Sequence, residues 1–152
     1  MEYIRKAEDH DFIRIAEIEI FNYRLYFYPI FQNDEYYFDV LRVPELAEKY
    51  RMSSGMYVYD DGTVKGFISV NGKELKKLFV EPVLHNKGIG AVLLDYAIKH
   101  LHVEYLWALE KNEKAIRFYQ RHGFYVTEQR KLEEDTTEYL VMLKRDMAEG
   151  DT

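Results

Sequence analysis

The sequence predicts an α/β fold of the α+β kind, a mixed, mostly antiparallel sheet with helices on both faces. Three observations predict it. Short runs rich in β-branched and aromatic residues alternate with runs of helical period. The turn signals Asp60-Asp61-Gly62 and Asn71-Gly72 link three of the strands in succession. An apolar run, Leu78-Phe79-Val80, then leads through Glu81-Pro82 into a glycine-bearing loop and a helix. Pro82 has no amide hydrogen and pushes Glu81 into an extended conformation, so the strand ends there.

The elements follow in order β-α-α-β-β-β-α-β-α-β-β. A strand near Tyr3 to Lys6 precedes a helix capped by Asp9, and an aromatic-rich helical region runs through Tyr50. Tyr57 to Tyr59, Val64 to Val70 and Glu74 to Glu81 read as strands joined by hairpin connections. Ile89, Val92, Leu93, Tyr96, Ala97 and Leu101 recur at three- and four-residue spacings, which gives a helix with one apolar stripe. Tyr105 to Leu109 reads as the next strand. The helix after it, Glu113 to His122, has Asn112 as N-cap and Gly123 as its stop. Strands near Phe124 to Arg130 and Glu138 to Lys144 complete the order, with no internal repeat. Residues 1–145 are expected to form a single domain and residues 146–152 a loose tail.

The loop His85-Asn86-Lys87-Gly88-Ile89-Gly90 carries the chemistry. Gly88 and Gly90 place no side chain over the first helical turn, whose unpaired amides point outward beside a partial positive charge. An anionic diphosphate fits there, and Lys87 adds a full positive charge. Taken alone, a Gly-x-Gly between strand and helix is also an ordinary tight turn.

A second motif joins it. Asn112, Ala115, Phe118, Tyr119, Gly123 and Phe124 stand in the pattern Asn-x-x-Ala-x-x-Phe-Tyr followed by Gly-Phe. With Val80-Glu81-Pro82 and the loop at residues 85–90, which follows the pattern Gln/Arg-x-x-Gly-x-Gly/Ala, the chain resembles the GCN5-related N-acetyltransferase (GNAT) superfamily from Ile4 to Lys144. His85 departs from the pattern, being shorter than Arg or Gln and mostly neutral at pH 7.

The resemblance implies the same architecture, with the fourth and fifth strands splayed around the pantetheine arm of acetyl-CoA. It implies a single acetyltransferase domain that moves an acetyl group directly from acetyl-CoA, as co-substrate, to a primary amine of a small molecule or of a peptide or protein N-terminus. Backbone groups around Phe79 and Val80 would hold the pantetheine and polarise the thioester carbonyl. His85, Asn86, Lys87, Gly88, Ile89 and Gly90 would hold the diphosphate, with Lys87 carrying more of the charge than usual. Asn112, Ala115 and Phe118 belong to the same cofactor site. Tyr119 matches the family's tyrosine, and a phenol of pKa ~10 is protonated near neutrality and can donate to the leaving thiolate.

The general base is sought among carboxylates near strand ends. Glu74 comes first, because histone-type members carry a glutamate six residues before the position of Val80; Glu81 and Glu110 follow, and a water chain is a further route. The resemblance puts acceptor specificity in the first helices, where Phe21 to Tyr28 and Tyr36 to Phe38 are dense in aromatics that serve as core or as a wall for an ammonium group. It also makes a homodimer through the C-terminal strands plausible.

Composition bounds the rest. A chain of 152 residues, 47% hydrophobic and 32% charged, suits one globular core. A net charge of −6 without a Lys/Arg stripe argues against general nucleic-acid binding. The acidic runs Asp34-Glu35 and Glu133-Glu134-Asp135 are solvated loop charge or a weak lure for a cationic amine. No apolar run reaches membrane-spanning length and the N-terminus lacks a leader pattern, so a cytoplasmic location is expected. The chain has no cysteine, which removes thiolate chemistry, and His85, His100, His102 and His122 form no metal-ligand pattern. A dinucleotide-binding fold fits poorly, because Leu93 replaces the third glycine of that fingerprint. A non-catalytic acetyl-CoA or CoA sensor on the same fold is the alternative to an enzyme.

Overall fold

The computed structural model describes residues 2–146; the expected loose tail lies outside the described residues from position 147 on. Seven strands form one sheet: β1 Ile4–Lys6, β2 Met56–Asp60, β3 Val64–Asn71, β4 Glu74–Val80, β5 Tyr105–Leu109, β6 Phe124–Leu132 and β7 Tyr139–Arg145. Their spatial order is β1-β2-β3-β4-β5-β7-β6, and every neighbouring pair is antiparallel except β4 with β5. The α-helices are α1 Phe12–Asn22, α2 Tyr28–Phe31, α3 Val43–Arg51, α4 Ile89–Leu101 and α5 Glu113–Arg121.

Alternation along β3 divides the core. Phe67 packs with Phe12, Ile15 and Ile18 of α1 and with Leu46 and Ala47 of α3, whereas Ile68 packs with Leu93, Leu94 and Ala97 of α4 and with Leu106 and Leu143. Leu93, Leu94 and Leu106 are essentially inaccessible to water, each contributing roughly 2 kcal/mol of burial. At Gly66 a Cβ would come within 3.0 Å of both Leu93 Cδ1 and the Phe79 carbonyl oxygen. That bare backbone lets α4 lie close on the sheet.

The start of α1 differs from the expected cap at Asp9. Asp9–Asp11 is a 3₁₀ turn, and the Asp11 carboxylate accepts the Glu8 amide hydrogen at 2.7 Å and Arg5 at 2.7 and 3.0 Å. Asp9 instead faces Arg51 at 3.4 Å. The helical region after it is also more broken than its pattern suggests. π-helical turns at Tyr23–Phe27 and Glu35–Val40 flank the short α2, which ends at Gln32 with φ 52°. The stretch between β1 and β2 therefore holds three α-helices rather than two.

Candidate active site

The sheet opens where the two motifs meet. β4 pairs with β3 as far as Val80↔Gly66, yet it pairs with β5 only at Glu74↔Tyr105 and Leu75↔Leu106. Beyond Leu75 the two strands diverge. The Glu81 amide donates to Lys65 O at 2.8 Å, so the odd-numbered residues Lys77 and Phe79 turn their N–H and C=O toward β3. Leu78 and Val80 turn theirs into the gap. This corrects the expectation for Phe79: its backbone belongs to the ladder and only its ring reaches the site, while Leu78 supplies main-chain groups that the sequence reading had not assigned.

A cavity of about 580 Å³ fills the gap. Phe79, Val80, His85, Asn86, Gly88, Gly90, Asn112, Ala115, Phe118 and Tyr119 line it. Two expected cofactor residues do not. Ile89 is buried in the core at 8% exposure, and Lys87 is exposed and stands off the wall, so each offers the loop only its backbone or a distant charge.

The loop forms as its residues dictate. Gly88 caps α4 with φ 88°, a left-handed conformation that costs a residue with a Cβ roughly 1–2 kcal/mol. The bond from Val92 N to Gly88 O, 3.1 Å, is the first of the helix. The amides of Ile89, Gly90 and Ala91 are thus the helix's unpaired leading donors, suited to a diphosphate. Opposite, Asn112 caps α5 by accepting Ala115 N–H at 3.2 Å.

Both ring nitrogens of His85 have partners within the fold. Its Nε2 lies 3.0 Å from Val80 O and its Nδ1 lies 3.3 Å from the Tyr26 hydroxyl, with the two rings stacked at 5.4 Å. A carbonyl only accepts, so Nε2 carries the hydrogen, and a neutral ring leaves Nδ1 to accept from Tyr26. His85 therefore ties the loop to the Tyr23–Phe27 turn rather than reaching outward as the longer Arg or Gln would.

Tyr119 packs edgewise on Phe118 and Phe124, at 5.3 and 5.8 Å between ring centroids. Burial pushes its phenol well above the ordinary tyrosine value. It lines the cavity and makes no side-chain hydrogen bond among the described residues, so its O–H is available as a donor.

The carboxylates fall elsewhere. Glu74 starts β4, about 20 Å along the strand from Val80, at the end where β4 and β5 are still paired. Glu81 is bound to Arg14 at 2.7 Å, and Glu110 is chelated by Arg130 at 2.9 and 3.0 Å. None of the three lines the cavity, whose wall among the described residues carries no Asp or Glu. It carries the cations Lys111, Lys114 and Arg121 instead, with His122 beside them, none of which the motifs had placed. His122, expected as a solvated helix end, is exposed but sits on this wall with Nδ1–H donating to Phe118 O at 2.8 Å.

The aromatic run divides between the cavity wall and the core. Tyr26 and Phe27 line the cavity, with Asn22 and Ile30 beside them. Tyr37 is 5% exposed and belongs to the core under α1, and Tyr23 packs edge-on against Phe79 at 5.4 Å.

The described residues thus combine leading helix amides, an open strand edge, a cationic wall and a protonated phenol around one cavity, a donor set that fits a thioester carrier with a diphosphate. Comparison with known proteins agrees. A family model described as an acetyltransferase (GNAT) domain matches residues 53–126. The chain is 34% identical over 89 residues to the peptidyl-lysine N-acetyltransferase YiaC of Escherichia coli K12, a match covering 57% of this chain and 60% of that protein. The chain thus spans less than two thirds of the length of the curated relatives it matches. In fold it resembles apo YjaB of Escherichia coli, with TM-score 0.71 and 22% identity over 95% of this chain and 97% of that one. It also resembles the PaiA N-acetyltransferase of Thermoplasma acidophilum in complex with coenzyme A, with TM-score 0.63 and 22% identity over 94% and 98% of the two chains. Residues 53–126 thus match an acetyltransferase (GNAT) domain, and in motifs and fold the chain is similar to the GCN5-related N-acetyltransferases.

Proposed function

We propose that the chain transfers an acetyl group from acetyl-CoA directly to a primary amine. The observation that carries this reading is the convergence of α4's leading amides, the gap-facing backbone of Leu78 and Val80, and the Tyr119 hydroxyl on one cavity. The amides of Ile89, Gly90 and Ala91 hold the diphosphate. Lys87, Lys111, Lys114 and Arg121 supply the long-range attraction for the same anion. Of the backbone N–H groups turned into the gap, that of Val80, nearer the diphosphate loop, holds the pantetheine, and that of Leu78, farther along the strand, polarises the thioester oxygen as negative charge develops there.

The amine attacks as the neutral base. Its nitrogen bonds to the acyl carbon, the carbon–sulfur bond breaks, and Tyr119 donates its proton to the departing thiolate. With no carboxylate on the wall, the amine's proton leaves through water in the cavity, and Tyr119 recovers its own from the same water. The acceptor is a primary amine of a small molecule, peptide or protein; the names of the relatives, which act on peptidyl lysine, favour a lysine side chain.

The test is release of free thiol from acetyl-CoA, measured with a lysine-containing peptide and with small amines as acceptors. Saturable, acceptor-dependent release is expected. Saturable binding without release on any acceptor overturns the catalytic reading.

A further inference from the structure

Among the described residues, one acceptor on the cavity wall is fixed in place by the fold and left without a donor. Asn22, at the end of α1, is 3% exposed, and both hydrogens of its side-chain amide are engaged: Nδ2 donates to Ile18 O at 2.8 Å and to Val80 O at 2.9 Å. Both partners are carbonyls and only accept. The amide is therefore fixed with nitrogen toward helix and strand and with Oδ1 turned away from them. Among the described residues nothing donates to Oδ1, and no side-chain oxygen sealed from solvent lacks a partner. Oδ1 thus opens on the cavity that Asn22 lines.

Val80 gives this oxygen its significance. On an open strand edge the Val80 carbonyl is the natural acceptor for an extended ligand lying along β4. Here both of its lone pairs are engaged, one by Asn22 Nδ2 and one by His85 Nε2 at 3.0 Å. The edge loses an acceptor at this residue, and Asn22 Oδ1 stands beside it. The pantetheine arm of a CoA thioester carries two secondary amides, each with a single N–H, whereas the wall nearby is built from Phe27, Leu78, Phe79 and Phe118. A desolvated N–H without an acceptor there would cost about 1–3 kcal/mol.

We propose that Asn22 is a cofactor-binding residue whose Oδ1 accepts the N–H of a pantetheine amide in place of the Val80 carbonyl, with His85 and Tyr26 as positioning residues. His85 holds the carbonyl from the other side, and Tyr26 fixes His85 by donating to Nδ1 and stacking on it. The contact falls on the pantetheine rather than on the acceptor amine because Asn22 is anchored at Val80, the strand end adjoining the diphosphate loop. The inference rests on the reading above, that a CoA thioester fills the cavity.

The test is titration calorimetry of the wild type and of the Asn22→Leu and His85→Leu variants. The ligands are acetyl-CoA, ADP, and two acetyl-CoA analogues in each of which one pantetheine amide N–H is replaced by an ester oxygen. The wild type is expected to bind one ester analogue about tenfold more weakly than acetyl-CoA. Asn22→Leu is expected to bind acetyl-CoA about tenfold more weakly, to keep its ADP affinity within twofold, and to stop distinguishing that ester from the amide. His85→Leu is expected to weaken acetyl-CoA but not ADP. Wild-type indifference to both esters overturns the proposal without recourse to any variant. So does an Asn22→Leu loss that falls equally on amide, ester and ADP, which marks a purely structural side chain. A His85→Leu loss confined to ADP makes His85 a diphosphate ligand and removes its positioning role. Failure of the wild type to bind acetyl-CoA and ADP at all is a different result, and it counts against the site reading itself.

Discussion

Tyr119 owes its suitability as a donor to its surroundings. Boxed by Phe118 and Phe124, the phenol is raised well above its ordinary value of ~10 and stays protonated throughout the working range. Tyr119→Phe keeps the ring packing and removes the proton. It is expected to lower kcat about 100-fold while leaving the acetyl-CoA Kd within about threefold, as measured by thiol release and calorimetry. The wild-type rate should show no alkaline fall from this phenol below about pH 10. A second residue-scale prediction concerns stability. Glu19, 1% exposed, is held by Lys77 at 3.0 and 3.1 Å and by the Tyr50 hydroxyl at 2.8 and 2.9 Å. Lys77→Met leaves that carboxylate buried with only the hydroxyl. The expected loss is about 2–3 kcal/mol in urea unfolding, reduced from a fully buried pair because Lys77 keeps some contact with water.

At the scale of elements, the two glycines that open α4 have different duties. Gly88 needs its left-handed φ of 88°, whereas a Cβ on Gly90 would meet Phe118 at an ordinary 3.5 Å. Gly88→Ala is expected to cost about 1–2 kcal/mol and to weaken acetyl-CoA roughly tenfold, and Gly90→Ala to leave the melting temperature unchanged. Paired thermal melts and titrations check both. The α4 and α5 segments were legible in the sequence because their determinants are local: a glycine cap, an asparagine cap, a helical apolar stripe. Asn22 and Tyr26 were not legible as cofactor-cavity residues. Their contacts with Val80 and His85 span 58 and 59 residues, and no local spacing encodes them. Glu74 misled for a related reason. Counting residues along β4 finds the strand, but which end stands open depends on where β5 parts from it. The π-helical turns around α2 escaped notice because aromatic side chains pack equally well on α- and π-helical backbone, so the run Phe21 to Tyr28 carries no signal for the change.

For the whole molecule, the ionisable groups define a pH window of stability. Burial opposes ionisation of Asp11, but its bonds from Arg5 and the Glu8 amide outweigh it and hold the carboxyl below its ordinary value. Asp60 is held low by the Gly62 amide and then by Arg5. Their contribution is complete above the unfolded value of ~3.9 and is lost as pH falls through the lower folded values. Burial acts in the other direction on Tyr23, Tyr50 and Tyr119, all raised, and pushes Tyr37 to about 12. Neutral in the folded chain, they stabilise it fully below the unfolded value of ~10, and that contribution drains away as pH climbs through their folded values. Chemical unfolding followed across pH should show a plateau between about 4 and 10 from these groups, with a steep alkaline decline beyond it.

The fork in the sheet has a mechanical meaning as well. Among the described residues only two ladder pairs, with the adjoining bonds to Lys73 O, stitch the first four strands to the last three, so the sheet has a seam that is paired at one end alone. On the function proposed above, a carrier arm laid into that seam would act as a surrogate eighth strand and zip it shut. Hydrogen exchange should register this directly: the Leu78 and Val80 amides swap with deuterium quickly in the free protein and are among those most slowed when acetyl-CoA arrives.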